Sequence, residues 1–221
     1  MYRIFPSPKQ CTFYHNTLSC TSYGSVTTAP EIEESCRAAG FDPAPLLASV
    51  FPGGFSPEGI TLTAEYVSCA PEGFQLNIAP SGIRISCGDG AGFFYALGVL
   101  VQLAAQAGGT LPCAEIADEP VLSVRGIMLD IGRDKIPSME TLRRLIDLFA
   151  SMRINHLQMY MEGFSFDYED FHYLFTNETP MTPAEFRELS LYARAHFIDL
   201  VPNQNVLGHM EKWLEKPQFR S

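Results

Sequence analysis

The chain has 221 residues, 46% of them hydrophobic and 18% charged, and its 25 acidic against 15 basic side chains give a net charge of −10. That is long and apolar enough for one or two buried cores, and it excludes a disordered chain. The acidic balance argues against nucleic acid and against anionic membranes as partners, because surplus carboxylates repel a polyanion.

The opening stretch, MYRIFPSPKQ, has no apolar run, so no signal peptide is visible and a cytoplasmic location is expected. Pro30 before Glu31–Ala39 and Gly40 after it predict a helix, with Glu33 and Glu34 on its solvated face. Leu62, Ala64 and Tyr66 alternate with Thr61, Thr63 and Glu65, the period of a half-buried strand. Phe74, Leu76 and Ile78 alternate too, as do Ile83 and Ile85, and Pro80-Ser81-Gly82 between them reads as a hairpin turn. Gly88-Asp89-Gly90 then leads into an apolar helix from Gly92 to Gln106. The apolar stretch Phe93–Ala107 is interrupted by Gln102 and falls short of the about 20 residues of a membrane span, so a buried helix is expected. Strands followed by a covering helix predict a small α+β domain over residues 1–117. The six cysteines form no CxxC pair and no Cys/His cluster, which argues against zinc and for reduced core thiols.

The rhythm changes at Asp118-Glu119-Pro120. Val124–Ile131 is nearly continuous in apolar residues, as in a strand covered on both faces. Ser138 can cap a helix whose stripe is Leu142, Leu145, Phe149 and Met152. A second strand is expected at His156–Met161. Thr182-Pro183-Ala184-Glu185 is a capping box with proline at the first helical position, and Phe186, Leu189 and Ala193 continue that helix. A third strand follows at Ile198–Pro202 and a helix start at Met210–Glu215. Strict β-α-β-α-β alternation demands a parallel sheet with right-handed crossovers. A (β/α)₈ barrel takes roughly 250 residues. The expected fold class is α/β: a small N-terminal α+β domain, then a second domain, 118–221, with three βα units, which the resemblance given below implies are the first three of an incomplete (β/α)₈ barrel. A small three-stranded α/β sandwich is the alternative.

In parallel α/β folds, function collects at the C-terminal ends of the strands. Those ends read Asp130-Ile131-Gly132-Arg133-Asp134, Gln158-Met159-Tyr160-Met161-Glu162-Gly163 and Asn203-Gln204-Asn205-Val206-Leu207-Gly208-His209. Charged, amide and aromatic groups of this kind suit polyol recognition. No GxGxxG, no GxxxxGK[ST] and no GxSxG occurs, so phosphate cradles and a nucleophile elbow are disfavoured.

The stretch Val124-Arg125-Gly126-Ile127-Met128-Leu129-Asp130-Ile131-Gly132-Arg133 resembles the opening barrel strand of glycoside hydrolase family 20, the β-N-acetylhexosaminidases. Val201-Pro202-Asn203-Gln204-Asn205-Val206-Leu207-Gly208-His209 resembles that family's third strand. Upstream, Glu72–Leu76, Gly92–Leu97, Leu111-Pro112 and Ile116–Pro120 resemble its small N-terminal α/β domain. The resemblance implies an exo-acting retaining glycosidase on terminal β-linked GlcNAc or GalNAc of N-acetylhexosamine-containing glycans, with no cofactor and no metal. In this family the substrate's own 2-acetamido oxygen is the nucleophile. A Glu protonates the leaving oxygen and an adjacent Asp orients the acetamido group. That pair follows the fourth strand and is expected beyond Ser221, so no catalytic residue is assigned here and the isolated chain is expected to be inactive.

The resemblance further implies that Arg133 grips the non-reducing sugar at O3 and O4, since a guanidinium can donate two parallel hydrogen bonds. Asp130 would orient Arg133 or cap local backbone. Glu162 would touch sugar hydroxyls or stand as a solvated loop acid. His209 and Asn205 would stand behind the contact residues, His209 hydrogen-bonding a catalytic carboxylate. One departure is Asn203-Gln204-Asn205, where the family commonly carries acidic residues. The aromatic loop from Phe164 to Tyr173 reads as a fold over its own apolar cluster, with a sugar-stacking wall as the alternative. Trp213 reads as helix packing. Two other classes remain open: a non-catalytic carbohydrate-binding or interaction module, and another (β/α)₈ glycosidase.

Overall fold

The structure is a computed structural model that describes residues 2–133, 135–174 and 179–219. It divides into two compact units, Met1–Ser123 with Ser151–Arg153, and Val124–Ala150 with Ile154–Ser221.

The first unit runs β1 (Gln10–Ser19), β2 (Tyr23–Thr28), α1 (Pro30–Ala39), α2 (Ala44–Val50), β3 (Ile60–Tyr66), β4 (Phe74–Ala79), β5 (Gly82–Cys87), α3 (Gly90–Ala107) and β6 (Thr110–Asp118). Its six strands lie in the order β1-β6-β4-β5-β3-β2. The hairpin expected around residues 80–81 joins β4 and β5, paired from Phe74↔Cys87 to Ala79↔Gly82. Asp89 caps α3 by accepting the Gly92 N–H at 2.7 Å, and its other oxygen takes the Glu72 N–H at 2.8 Å. The helix then buries Phe93, Leu97, Leu100 and Leu103 with Leu62, Leu76, Ile78 and Ile85 of the sheet. Each such side chain is stabilised by roughly 1.5–3 kcal/mol through burial. By length and composition α3 is apolar enough to cross a membrane, but in this fold it is the core helix.

The sheet's other face is polar. The row Thr12↔Glu115↔Asn77↔Arg84↔Thr63 crosses five strands in register. The sequence pattern does not reveal β1, β2, α2 or β6. β1 is an edge strand, exposed at nearly every position, so it shows no alternation to read. The cysteines need a correction. All six are free, but Cys11 and Cys69 are exposed, on that edge strand and in the β3–β4 loop, and only Cys20, Cys36, Cys87 and Cys113 are buried. Burial pushes the Cys36 thiol up to about 11 and the Cys87 thiol up to about 12, with Asp89 adding to both.

The second unit runs β7 (Gly126–Asp130), α4 (Met139–Ser151), β8 (His156–Met161), a 3-10 turn (Glu169–Leu174), α5 (Pro183–Ala195), β9 (Asp199–Gln204), α6 (Glu211–Leu214) and a second 3-10 turn (Pro217–Phe219). The strands are parallel in the order β7-β8-β9. Ser138 Oγ accepts the Thr141 N–H at the start of α4. At α5, Thr182 and Glu185 form the full capping box. Arg143 pairs with Glu188, and Tyr192 donates to Asp147 at 2.6 Å, tying α4 to α5.

Two expectations fail here. Val124–Ile131 is not covered on both faces: Val124 is 61% and Met128 58% exposed. Side chains alternate along a strand. Leu157, Met159 and Met161 of β8 are buried, whereas Met128, Gln158 and Tyr160 point to the opposite side, which no described element closes. Met152 lies past the end of α4 and is exposed rather than core. The aromatic loop does fold on itself: Phe164, Leu174 and Trp213 form a buried cluster, with Tyr168, Phe171, Met210 and Phe219 against it.

Candidate functional site at the strand ends

Parallel pairing brings the ends of β7, β8 and β9 to one edge, with Asp130↔Tyr160↔Asn203 in register. Asp130 performs both of its expected tasks. Its Oδ1 accepts the Gly132 N–H at 2.9 Å, and its Oδ2 accepts from Arg133 Nε at 2.6 Å with Nη2 equally near. The Asp130 carboxylate raises the Arg133 pKa, so the guanidinium stays charged and aimed. Its carbon lies 5.4 Å from the centre of the Tyr160 ring, a cation–π distance.

Tyr160 is the hub of this edge, and the sequence reading did not single it out. Its hydroxyl donates to Glu162 Oε2 at 3.0 Å and accepts from Asn205 Nδ2 at 2.6 Å. One signal for it was available: Tyr160 sits two residues before Glu162, on the face of β8 that stays open. Asn203 donates to Gln158 at 3.1 Å, and the Tyr168 hydroxyl donates to Gln204 at 2.9 Å. Gly132 makes the close approach of two strand ends possible. A Cβ there would lie 2.6 Å from the Glu162 nitrogen and 2.7 Å from its Cβ, so no other residue fits without a shift.

The structure thus brings Arg133, Asp130, Glu162 and Asn205 together through Tyr160. It does not bring in His209, which is exposed on the loop after β9 with φ at 55° and, among the described residues, has no hydrogen-bond partner. Asp134, the last residue of the first strand-end cluster, lies outside the described residues.

The assembled edge is a set of oriented donors and acceptors: one guanidinium, one phenol, amides, and two carboxylates each already engaged. That suits gripping hydroxyl groups rather than moving a proton. Among the described residues, no group of three or more His, Cys, Asp and Glu side chains could hold a metal ion. A concavity of about 860 Å³ lies elsewhere, over the polar face of the first unit's sheet around Asn77, Arg84 and Glu115. It is the open surface of a solvated sheet, on which Arg84 pairs with Glu65, and we place the chemistry at the strand ends instead.

Comparison with known proteins agrees with this architecture. Residues 1–119 match glycosyl hydrolase family 20, domain 2, and residues 123–220 match the glycosyl hydrolase family 20 catalytic domain. The beta-hexosaminidase of Akkermansia muciniphila is 28% identical over 158 residues, covering 62% of this chain and 32% of that protein. The beta-hexosaminidase of Vibrio vulnificus is 24% identical across 93% of this chain and 28% of its own length. Among solved structures, a beta-N-acetylhexosaminidase from Bacteroides fragilis matches with a TM-score of 0.79 at 22% identity, over 96% of this chain and 46% of that one. An exo beta-N-acetylglucosaminidase from Vibrio harveyi, in complex with N-acetylglucosamine, matches with a TM-score of 0.77 at 20% identity, over 95% and 37%. This chain therefore spans less than half the length of each of these relatives. Two successive domain matches and a shared fold across nearly the whole chain lead to one assignment: the chain belongs to glycosyl hydrolase family 20, comprising its small second domain and the opening strands of its barrel-type catalytic domain.

Proposed function

We propose that this chain forms the sugar-gripping part of an exo-β-N-acetylhexosaminidase that removes terminal β-linked GlcNAc or GalNAc. The carrying observation is Arg133, fixed by Asp130 at the end of β7 and backed by the Tyr160 ring. A guanidinium held in this way can donate to two neighbouring hydroxyls at once. In the proposed pose it takes O3 and O4 of the non-reducing sugar, with Glu162 and Asn205 completing the polar edge. The similar exo beta-N-acetylglucosaminidase of Vibrio harveyi, solved in complex with N-acetylglucosamine, supports that substrate class.

Hydrolysis in this reading is substrate-assisted. The 2-acetamido oxygen attacks the anomeric carbon while a carboxylic acid protonates the departing oxygen, and water later opens the cyclic intermediate. The residues described here bind and orient. The acid and the carboxylate that steers the acetamido group belong to the part of the relatives that this chain does not span. General acid catalysis typically contributes about 10²–10⁴-fold, so the 221-residue chain alone should give no turnover.

The test has two arms. The chain should release no nitrophenol from a nitrophenyl N-acetyl-β-glucosaminide, and turnover by purified chain would refute this division of labour. Expressed with the remaining barrel, the enzyme should lose on the order of 10–100-fold in kcat/KM on Arg133→Ala, with Lys only partly restoring it. An unchanged kcat/KM would remove Arg133 from the site.

A further inference from the structure

We propose that α3 carries a seat for an extended peptide, filled within one chain by its own strap of residues 3–5, and that two copies exchange straps to form a two-fold dimer. The inference stands apart from the hexosamine reading and concerns the first unit alone.

The seat is made by two glutamines. Gln102 Oε1 accepts the Phe5 N–H and its Nε2 donates to the Phe5 carbonyl, both at 2.8 Å. One turn on, Gln106 Oε1 accepts the Arg3 N–H at 2.9 Å, and its Nε2 donates to the Arg3 carbonyl at 2.7 Å. Each side-chain amide thus exchanges two hydrogen bonds with one strap residue, as a neighbouring strand would. The spacing fits: four residues of helix rise about 6 Å, and two residues of extended chain about 6.6 Å. Gln106 Nε2 also donates to the Gln102 carbonyl at 2.9 Å, so its own helix holds that side chain in place for the strap.

A seat that reads backbone groups takes the same strap from either copy. The attachment is light. Of Arg3, Ile4 and Phe5 only Ile4 is buried, and the four hydrogen bonds lie at the surface. Pro6-Ser7-Pro8 links the strap to Lys9. The Lys9 N–H donates to Asp118 at 3.1 Å and its Nζ to Glu119 at 3.0 Å, which fixes the far end of the link. Two prolines make the link a stiff arm rather than a loose tail, and a short stiff hinge favours exchange.

Charge supports a second copy as the occupant. Residues 1–30 hold Arg3 and Lys9 but none of the chain's 25 acidic side chains. The cationic arm of one copy is therefore drawn to the otherwise acidic body of the other. Exchange remakes the same four hydrogen bonds in each copy and closes the pair.

The experiment uses the full 221-residue chain in two variants, each defective on one side. Arg3→Pro/Phe5→Pro removes both strap N–H donors and leaves the seat. Gln102→Ala/Gln106→Ala removes the seat and leaves the strap. In sedimentation equilibrium the wild type should be monomeric at micromolar concentration and dimerise toward the mM range, the effective concentration of a strap on a short link. Each variant alone should stay monomeric. Their equal mixture should associate on the order of tenfold more tightly than the wild type, because neither partner has a seated strap to displace. In that mixture the Gln102 and Gln106 side-chain amide resonances of the strap-defective copy should shift. Gln102→Glu/Gln106→Glu keeps the side-chain length and loses the donors, and it replaces the alanine pair should that pair melt early. A mixture that associates no more than the variants alone would overturn the proposal. So would a wild-type dimer that survives in both variants, or a wild type still monomeric at several mM.

Discussion

Each unit covers one side of its sheet and leaves the other open, but the open faces differ in kind. The first unit exposes Thr12, Thr63, Asn77, Arg84 and Glu115, groups that water satisfies. The second exposes Met128 beside two hydrogen-bonded pairs, Asn203 with Gln158 and Asn205 with Tyr160. A polar face toward solvent is finished. A face that mixes an exposed methionine with engaged amides and a phenol is made to be met by other groups. The difference separates stability from chemistry: the first half invests in a continuous core around α3, the second in an edge of aimed polar groups.

Hydrogen exchange should break or sharpen this contrast most strongly. Amides of α3, β4 and β5 should exchange only through global opening of their unit, while those of β9 and the loop to Met210 should exchange through local opening many-fold faster. Equal protection in both would mean that the second unit is as finished as the first. Next comes Trp213→Ala, which empties the aromatic cluster and removes the bond to Gly163; about 3–5 kcal/mol should be lost, confined to the second unit. Denaturant melts followed by near-ultraviolet dichroism would show it, and a loss below about 1 kcal/mol would mean that the cluster is not a packed core. Leu100→Ala should cost about 2–5 kcal/mol in the first unit and leave probes at Tyr160 unmoved. Gly132→Ala should cost roughly 1–3 kcal/mol, because its Cβ presses on Glu162, and should weaken sugar binding without touching α3.

The smallest effect concerns Tyr192. Burial, and then the Asp147 carboxylate it donates to, push its pKa from the ordinary 10.0 up to about 12. A folded pKa above the unfolded one means that this bond's contribution is complete below pH 10 and fades as pH rises through about 12. Absorbance titration of tyrosinate should therefore show a late phenol that is lost in Tyr192→Phe and returns toward 10.0 in Asp147→Asn. An unchanged late phenol in that variant would assign the shift to burial alone.

Much of this was legible in the residues. β8 occupies His156–Met161 as its pattern predicts, the Thr182 capping box starts α5, and Asp89 opens the apolar helix. These signals are local: a period, a cap, a turn. What escaped is non-local. β1 earns its place only by pairing with β6, and neither face of it is apolar enough to announce that. The open side of β7 could not be foreseen, because a run of apolar residues looks the same whether or not a neighbour covers it. At the site, Arg133, Asp130, Glu162 and Asn205 were found at strand ends. Tyr160 was overlooked because its role arises from register with residues 30 and 43 positions away.

All six cysteines fall at or before Cys113, so every thiol belongs to the first unit. A thiol-specific reagent added to the native chain should modify Cys11 and Cys69 promptly and the other four only when that unit opens. The polypeptide thus carries its own unfolding clock for one half and is silent for the other. The rate at which the third and later labels appear measures the core around α3 alone, with no engineered probe, whatever happens at the strand ends of the second unit.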